Sequence, residues 1–201
     1  GFWALLLASI GVSVFIGLLV EVLLIRPMLG QPVFSTVMVT IGLAVIIRSV
    51  VVLIWGADPM PLATGLSTTP IRIGPAGLYP AQLYALGIMA CVVGGLWAFF
   101  RFSRTGIAMR ATANLQTTAL LMGINVKRIF ALSWALSAGL AAIAGVMWAL
   151  NYGTVQHAMG FLPGLKAFTA AVFGGIGNLA GAMVGGVLLG LIESIGSGYI
   201  G

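Results

Sequence analysis

Charge is what this chain has least of. Nine Lys or Arg and three Asp or Glu make up 6% of its 201 residues, against roughly a quarter in soluble domains, which excludes a soluble globular fold. One His, one Asp and two Glu leave no paired metal-ligand spacing, no nucleophile–base–acid set and no Gly-x-x-x-x-Gly-Lys phosphate loop. No catalytic residue, metal or other cofactor is therefore expected. The single cysteine, Cys91, excludes an internal disulfide and reads as a small buried hydrophobe within an apolar run. His157, one imidazole in a loop, reads as a surface or packing residue.

What is present is apolar: 61% hydrophobic residues and a mean hydropathy of +1.18 describe an integral membrane protein. The 29 glycines suit helices whose backbones approach closely in lipid, as do the small-xxx-small pairs Gly181/Gly185 and Gly186/Gly190. A spanning helix needs about 20 apolar residues, and full spans are expected at 2–25, 33–56, 82–100 and 126–150. Trp55, Trp97, Phe99, Phe100, Trp148 and Tyr152 stand near their ends, where interfacial aromatics belong. The fold class is all-α: one polytopic transmembrane domain over residues 1–201. Gly1 is not an initiator Met, and Phe2-Trp3 enters an apolar run with no charged n-region, so the sequence is read as a fragment.

Five of the nine basic residues, Arg101, Arg104, Arg110, Lys127 and Arg128, lie in the insert between two apolar runs. The positive-inside rule puts that insert in the cytosol, and alternation then puts the 26–32 turn inside and 57–81 and 151–163 outside. This placement accounts for the net charge of +6 without nucleic acid as a partner. The insert is longer than chain reversal needs. Ile107, Ala111, Leu115, Ala119 and Met122 follow helical spacing, predicting a helix along the membrane with these residues toward the bundle. Gly123 suits a left-handed helix end and Asn125 a cap for the next span. A cytosolic partner holding this helix is expected.

On the outer side, Pro70 to Gly74 followed by Gly77 to Tyr79 predicts a short hairpin. Residues 164–173 make only about 15 Å of helix, half a bilayer, and Gly174 to Asn178 should break it before a Gly-rich run from Ala180 to Ile195. A broken helix at membrane depth lines a cavity or is buried in protein, and it commonly marks a transport site. Two short helices are expected around the break, with the last running outside to inside. Arg48, about 6 Å beyond the middle of its span by helix rise, must snorkel, pair or face water. Lys166, at the outer start of the half-helix, meets a substrate carboxylate or lies in the headgroups. Glu21 reads as a carboxylate that caps or pairs with a neighbouring helix, and Glu193 as a packing or gating residue. Phe168, Ala170, Ala171, Gly174, Gly175 and Gly177 complete the expected path, whose walls should be small and apolar.

Thr117-Thr118-Ala119 with Gly123 resembles the Glu-Ala-Ala-x-x-x-Gly loop by which ABC importer permeases dock on their ATPases, departing at its first two positions. The strings Arg104-Thr105-Gly106 through Met122-Gly123-Ile124-Asn125, Gly164 through Gly177 with Gly181-Ala182, and Glu21 to Arg26-Pro27 resemble the branched-chain amino acid permeases of the LivH type over nearly the whole chain. On this resemblance, the family's first one or two helices and its last helix are expected to lie outside the sequence given. The resemblance implies a multi-pass subunit of the bacterial plasma (inner) membrane that hydrolyses nothing itself. Its implied partners are a second permease subunit, two cytosolic ATP-binding subunits, a periplasmic or extracellular substrate-binding protein and membrane lipid. It implies leucine, isoleucine and valine as cargo, with urea or short amides as the alternative within the family. It also implies ATPase coupling by Arg110, Thr117, Thr118, Ala119 and Gly123. An ion-coupled secondary transporter or channel is the competing class, with only Arg48, Glu21 and Glu193 to serve it.

Overall fold

The computed structural model describes residues 2–28, 30–31, 33–62, 71–73, 76–175 and 177–199. Helix α1 (Phe2–Val20) continues through a π-helical turn (Glu21–Ile25) and a 3₁₀ turn (Arg26–Met28). After it come α2 (Val33–Trp55), β1 (Met60–Pro61), β2 (Ile71–Ile73), β3 (Ala76–Leu78), α3 (Pro80–Phe102), α4 (Arg104–Asn114) and α5 (Gln116–Leu121). The chain continues with α6 (Val126–Tyr152), β4 (Thr154–Val155), α7 (Phe161–Gly174) and α8 (Leu179–Tyr199). Among the described residues, five helical stretches are long and apolar enough to cross a membrane. Four match the expected spans; the fifth is α8.

Helices α1 and α6 pack antiparallel along their length, because small residues let them close. A Cβ on Gly17 would lie 2.6 Å from that of Ala138, and one on Gly139 would sit 3.4 Å from Val14. At one end of the molecule Phe2 and Trp3 cluster with Tyr84 of α3. At the other, α4 turns tightly beneath α3: Ser103 caps it by accepting from the Gly106 N–H at 3.1 Å, and a Cβ on Gly106 would crowd the Phe99 carbonyl at 2.5 Å. This second end carries Arg101, Arg104, Arg110, Lys127 and Arg128 and is called the basic face. On the opposite face β2 pairs with β3 as expected, while β1 pairs with β4 and ties the loop after α2 to the loop after α6. Helix α2 makes only scattered contacts among the described residues, and its apolar window is unburied.

The end of the chain differs from expectation in two respects. The break is present between α7 and α8, with Gly175 and Gly177 at φ of +94° and +89°, and Asn178 caps α8 through its side-chain oxygen on the Gly181 N–H at 3.1 Å. But α8 has 21 residues, so it is no short arm, and it folds back antiparallel along α7 rather than continuing across. Close approach drives this. A methyl on Gly174 would overlap the backbone of Gly181, and one on Gly185 would lie 2.6 Å from the Ala170 carbonyl oxygen. Of the second small-residue pair, Gly186 faces the Ala170 Cβ at 4.0 Å while Gly190 meets nothing within 4 Å, so that pair approaches α7 at one position only.

Candidate functional site

The basic insert is two helices, not one. Leu115 is extended, at φ −146° and ψ 94°, which interrupts the helix and resets its phase. The residues turned inward are therefore Gly106, Met109, Thr112 and Ala119. The expected inward set fails except at Ala119: Ile107, Leu115 and Met122 are 50%, 65% and 78% exposed, and Ala111 is exposed too. α5 closes in a Schellman turn, with the Ile124 N–H on the Ala119 carbonyl and the Gly123 N–H on that of Leu120, both at 3.0 Å. Gly123, at φ +80°, supplies the left-handed residue this turn requires, and the Asn125 side chain caps α6 through the Arg128 N–H. The result is a firmly anchored turn that holds out an apolar cap of Leu115, Leu120, Leu121 and Met122. Thr117 and Thr118 lie exposed beside it, while Ala119 beneath is 4% exposed.

Between this insert and the hairpin lies a cavity of about 760 Å³. Trp97 and Phe100 of α3, Met109 and Arg110 of α4, and Leu136 and Leu140 of α6 wall it, and residues 177–180 close it. Arg101 also lines it, with its guanidinium 5.8 Å from the Trp97 ring centroid. Arg110 and Gly177 are the only expected site residues that share it.

The other expected site residues are held elsewhere. Ala170, 5% exposed, and Gly174 pack on α8, Ala171 is half-buried, and Phe168 projects outward at 68% exposure. Lys166 forms an ion pair with Glu193, which joins the two arms of the hairpin. Arg48 lies within hydrogen-bonding distance of His157 Nε2, at 3.3 Å, which ties α2 to the loop before α7. Glu21 is fully buried and pairs with Arg26 at 3.1 Å. On an α-helix residues five apart do not share a face, but the wider π turn brings them together. The sequence offered no signal for the Arg48–His157 pair. Opposite charges on two apolar runs flanking a Gly-rich turn were a usable signal for Lys166–Glu193.

Apolar helices closed by glycine contacts, bearing a lateral basic insert and a re-entering pair, define a multi-pass α-helical membrane protein. Known proteins narrow this. The chain is 34% identical over 180 residues to the high-affinity branched-chain amino acid transport system permease protein LivH of Escherichia coli (strain K12), covering 87% of this chain and 58% of that one. It is 35% identical over 199 residues to the corresponding permease protein BraD of Pseudomonas aeruginosa, covering 96% and 64%. The chain thus spans less than two thirds of these relatives' length. No solved structure matches it. The family model described as branched-chain amino acid transport system / permease component matches residues 1–201, and the chain belongs to that family.

Proposed function

We propose that this chain forms the transmembrane pathway of an ABC importer for branched-chain amino acids in a bacterial plasma membrane. In this reading it works with a second permease, two ATP-binding subunits on its basic, cytosolic face and a substrate-binding protein on the opposite face. Its relatives named as permeases of branched-chain amino acid transport support the cargo. The observation that carries the mechanism is the exposed cap of Leu115, Leu120, Leu121 and Met122, set on an anchored turn. Exposed apolar side chains on a hydrogen-bonded turn at the basic end suit insertion into a groove of a partner. A partner moving with its nucleotide state would then drive α4 and α5 as one piece, because Met109, Thr112 and Ala119 bind them to the body.

Thr117 and Thr118 supply the polar rim of that contact, while Arg110 lines the neighbouring cavity. Ala119 and Gly123 act by shaping the turn. On the opposite face, the Arg48–His157 and Lys166–Glu193 ties hold the segments that would receive substrate from its binding protein.

The test is ATP hydrolysis by the reconstituted complex, with and without loaded binding protein. Leu121→Asp, at a position 84% exposed, should abolish stimulation by desolvating a charge in the contact. Gly123→Val places a β-branched residue at positive φ, at a cost of order 1 kcal/mol or more, and should uncouple in the same way. Gly123→Asn, which tolerates that conformation, should retain most stimulation. Full stimulation in both Leu121→Asp and Gly123→Val complexes would remove the coupling assignment.

A further inference from the structure

We infer that the cavity beside Arg101 and Arg110 is a binding site for the phosphate of an anionic phospholipid, which bridges the α7–α8 hairpin to α3, α4 and α6. Charge is the first argument. The chain has three carboxylates: Glu21 is taken by Arg26 and Glu193 by Lys166, and Asp58 follows α2 on the opposite face. No carboxylate among the described residues lines the cavity with the two guanidiniums, which leaves an anion as their complementary occupant. A zwitterionic amino acid is a poor occupant, because no carboxylate lines the cavity to meet its ammonium. A net anion fits.

The walls identify the kind of anion. Asn114, Ser137 and Asn178 offer neutral hydrogen-bonding groups near the arginines, while Leu96, Phe100, Leu136 and Leu140 make an apolar flank suited to an acyl chain. Trp97, at the end of a spanning helix and stacked on Arg101, marks the headgroup level. Basic pockets between transmembrane helices at a cytosolic interface are a recurrent form of lipid headgroup site. The gap also needs an occupant. Among the described residues the hairpin packs extensively only on itself, so a lipid here would supply contact that its glycine-rich arms do not make.

The inference needs only that the chain is embedded in a membrane and stands apart from the identity of the cargo. The experiment is native mass spectrometry of the intact protein, titrated with phosphatidylglycerol or phosphatidylcholine of the same acyl chains. Phosphatidylglycerol should bind preferentially, and Arg101→Gln with Arg110→Gln should weaken it on the order of tenfold or more. Arg104→Gln, just outside the cavity, should leave it unchanged. Ser137→Phe keeps both arginines and fills the space; it should weaken binding too, which covers a double variant that does not fold. Equal binding of the two lipids, or equal loss in Arg104→Gln, would show diffuse attraction and overturn the site. Full competition by millimolar inorganic phosphate would assign it to a free anion and overturn the lipid. Loss of bound lipid on adding the ATP-binding subunits, with the double variant failing to assemble, would assign the arginines to a protein carboxylate and overturn it as well.

Discussion

Glu21 shows how much one side chain demands of its surroundings. A carboxylate with no exposure is tolerable only with a partner, and the π turn spends one extra residue to provide it. Removing Arg26 alone should strand the charge. Arg26→Ala is expected to lower stability by about 3 kcal/mol, the low end for a broken buried pair because Arg26 reaches solvent. Glu21→Met with Arg26→Met should recover most of it, since apolar replacement of a buried pair is often neutral. Thermal unfolding midpoints in detergent measure both, and a double variant no better than Arg26→Ala would show that the pair is not what holds this turn. Glu21 was legible as a pairing residue, but its partner is Arg26 of its own turn and not a neighbouring helix. The π turn was not, because only its spacing of five to Arg26 hints that an ordinary helix cannot join them.

Among elements, those specified by local chemistry matched their sequence and those specified at a distance did not. Long apolar runs, the Gly123 helix end, the Asn125 cap and the β2–β3 hairpin follow from neighbours a few residues apart. The phase of the insert depends on Leu115 alone, and a periodic pattern drawn through it turned the wrong face inward. The fold-back of α8 depends on contacts between separate helices, which its glycines permit without dictating. These contacts are testable one glycine at a time. Gly174→Ala should destabilise the hairpin by about 1–3 kcal/mol through overpacking, whereas Gly190→Ala, facing open space, should be neutral or slightly stabilising. Equal midpoints for the two variants would show that the arms do not meet at Gly174 and Gly181.

For the molecule as a whole, the fold-back decides on which side α8 ends. An antiparallel α8 carries Tyr199 to the face of β1 and β4, away from Thr117. In a background with Cys91 replaced by Ser, Tyr199→Cys should react with a membrane-impermeant maleimide added outside intact cells, and Thr117→Cys should react only after the membrane is opened. Labelling of both from one side would place the two ends together and refute the hairpin. The candidate path read from sequence is dispersed by this same topology: Lys166 and Arg48 are held on one face and Gly177 reaches the cavity near the other. Residues adjacent in a motif had been separated by a turn that their glycines create.

The Lys166–Glu193 pair also constrains the order in which this protein can enter its membrane. Helix α7 has 14 residues, about 21 Å of rise, too little to span a hydrocarbon core of about 30 Å. It also carries a lysine, which costs about 2.5–3.5 kcal/mol at the centre of an inserting helix and less toward its end. Emerging first from the ribosome, it has little reason to leave the aqueous channel. Its neutralising carboxylate and its glycine-matched surface arrive only with α8, and Glu193 comes 27 residues after Lys166. Commitment to lipid is therefore expected to wait for synthesis to pass Glu193: chains arrested before Glu193 should leave α7 extractable from the membrane by alkali, and chains arrested after α8 should not.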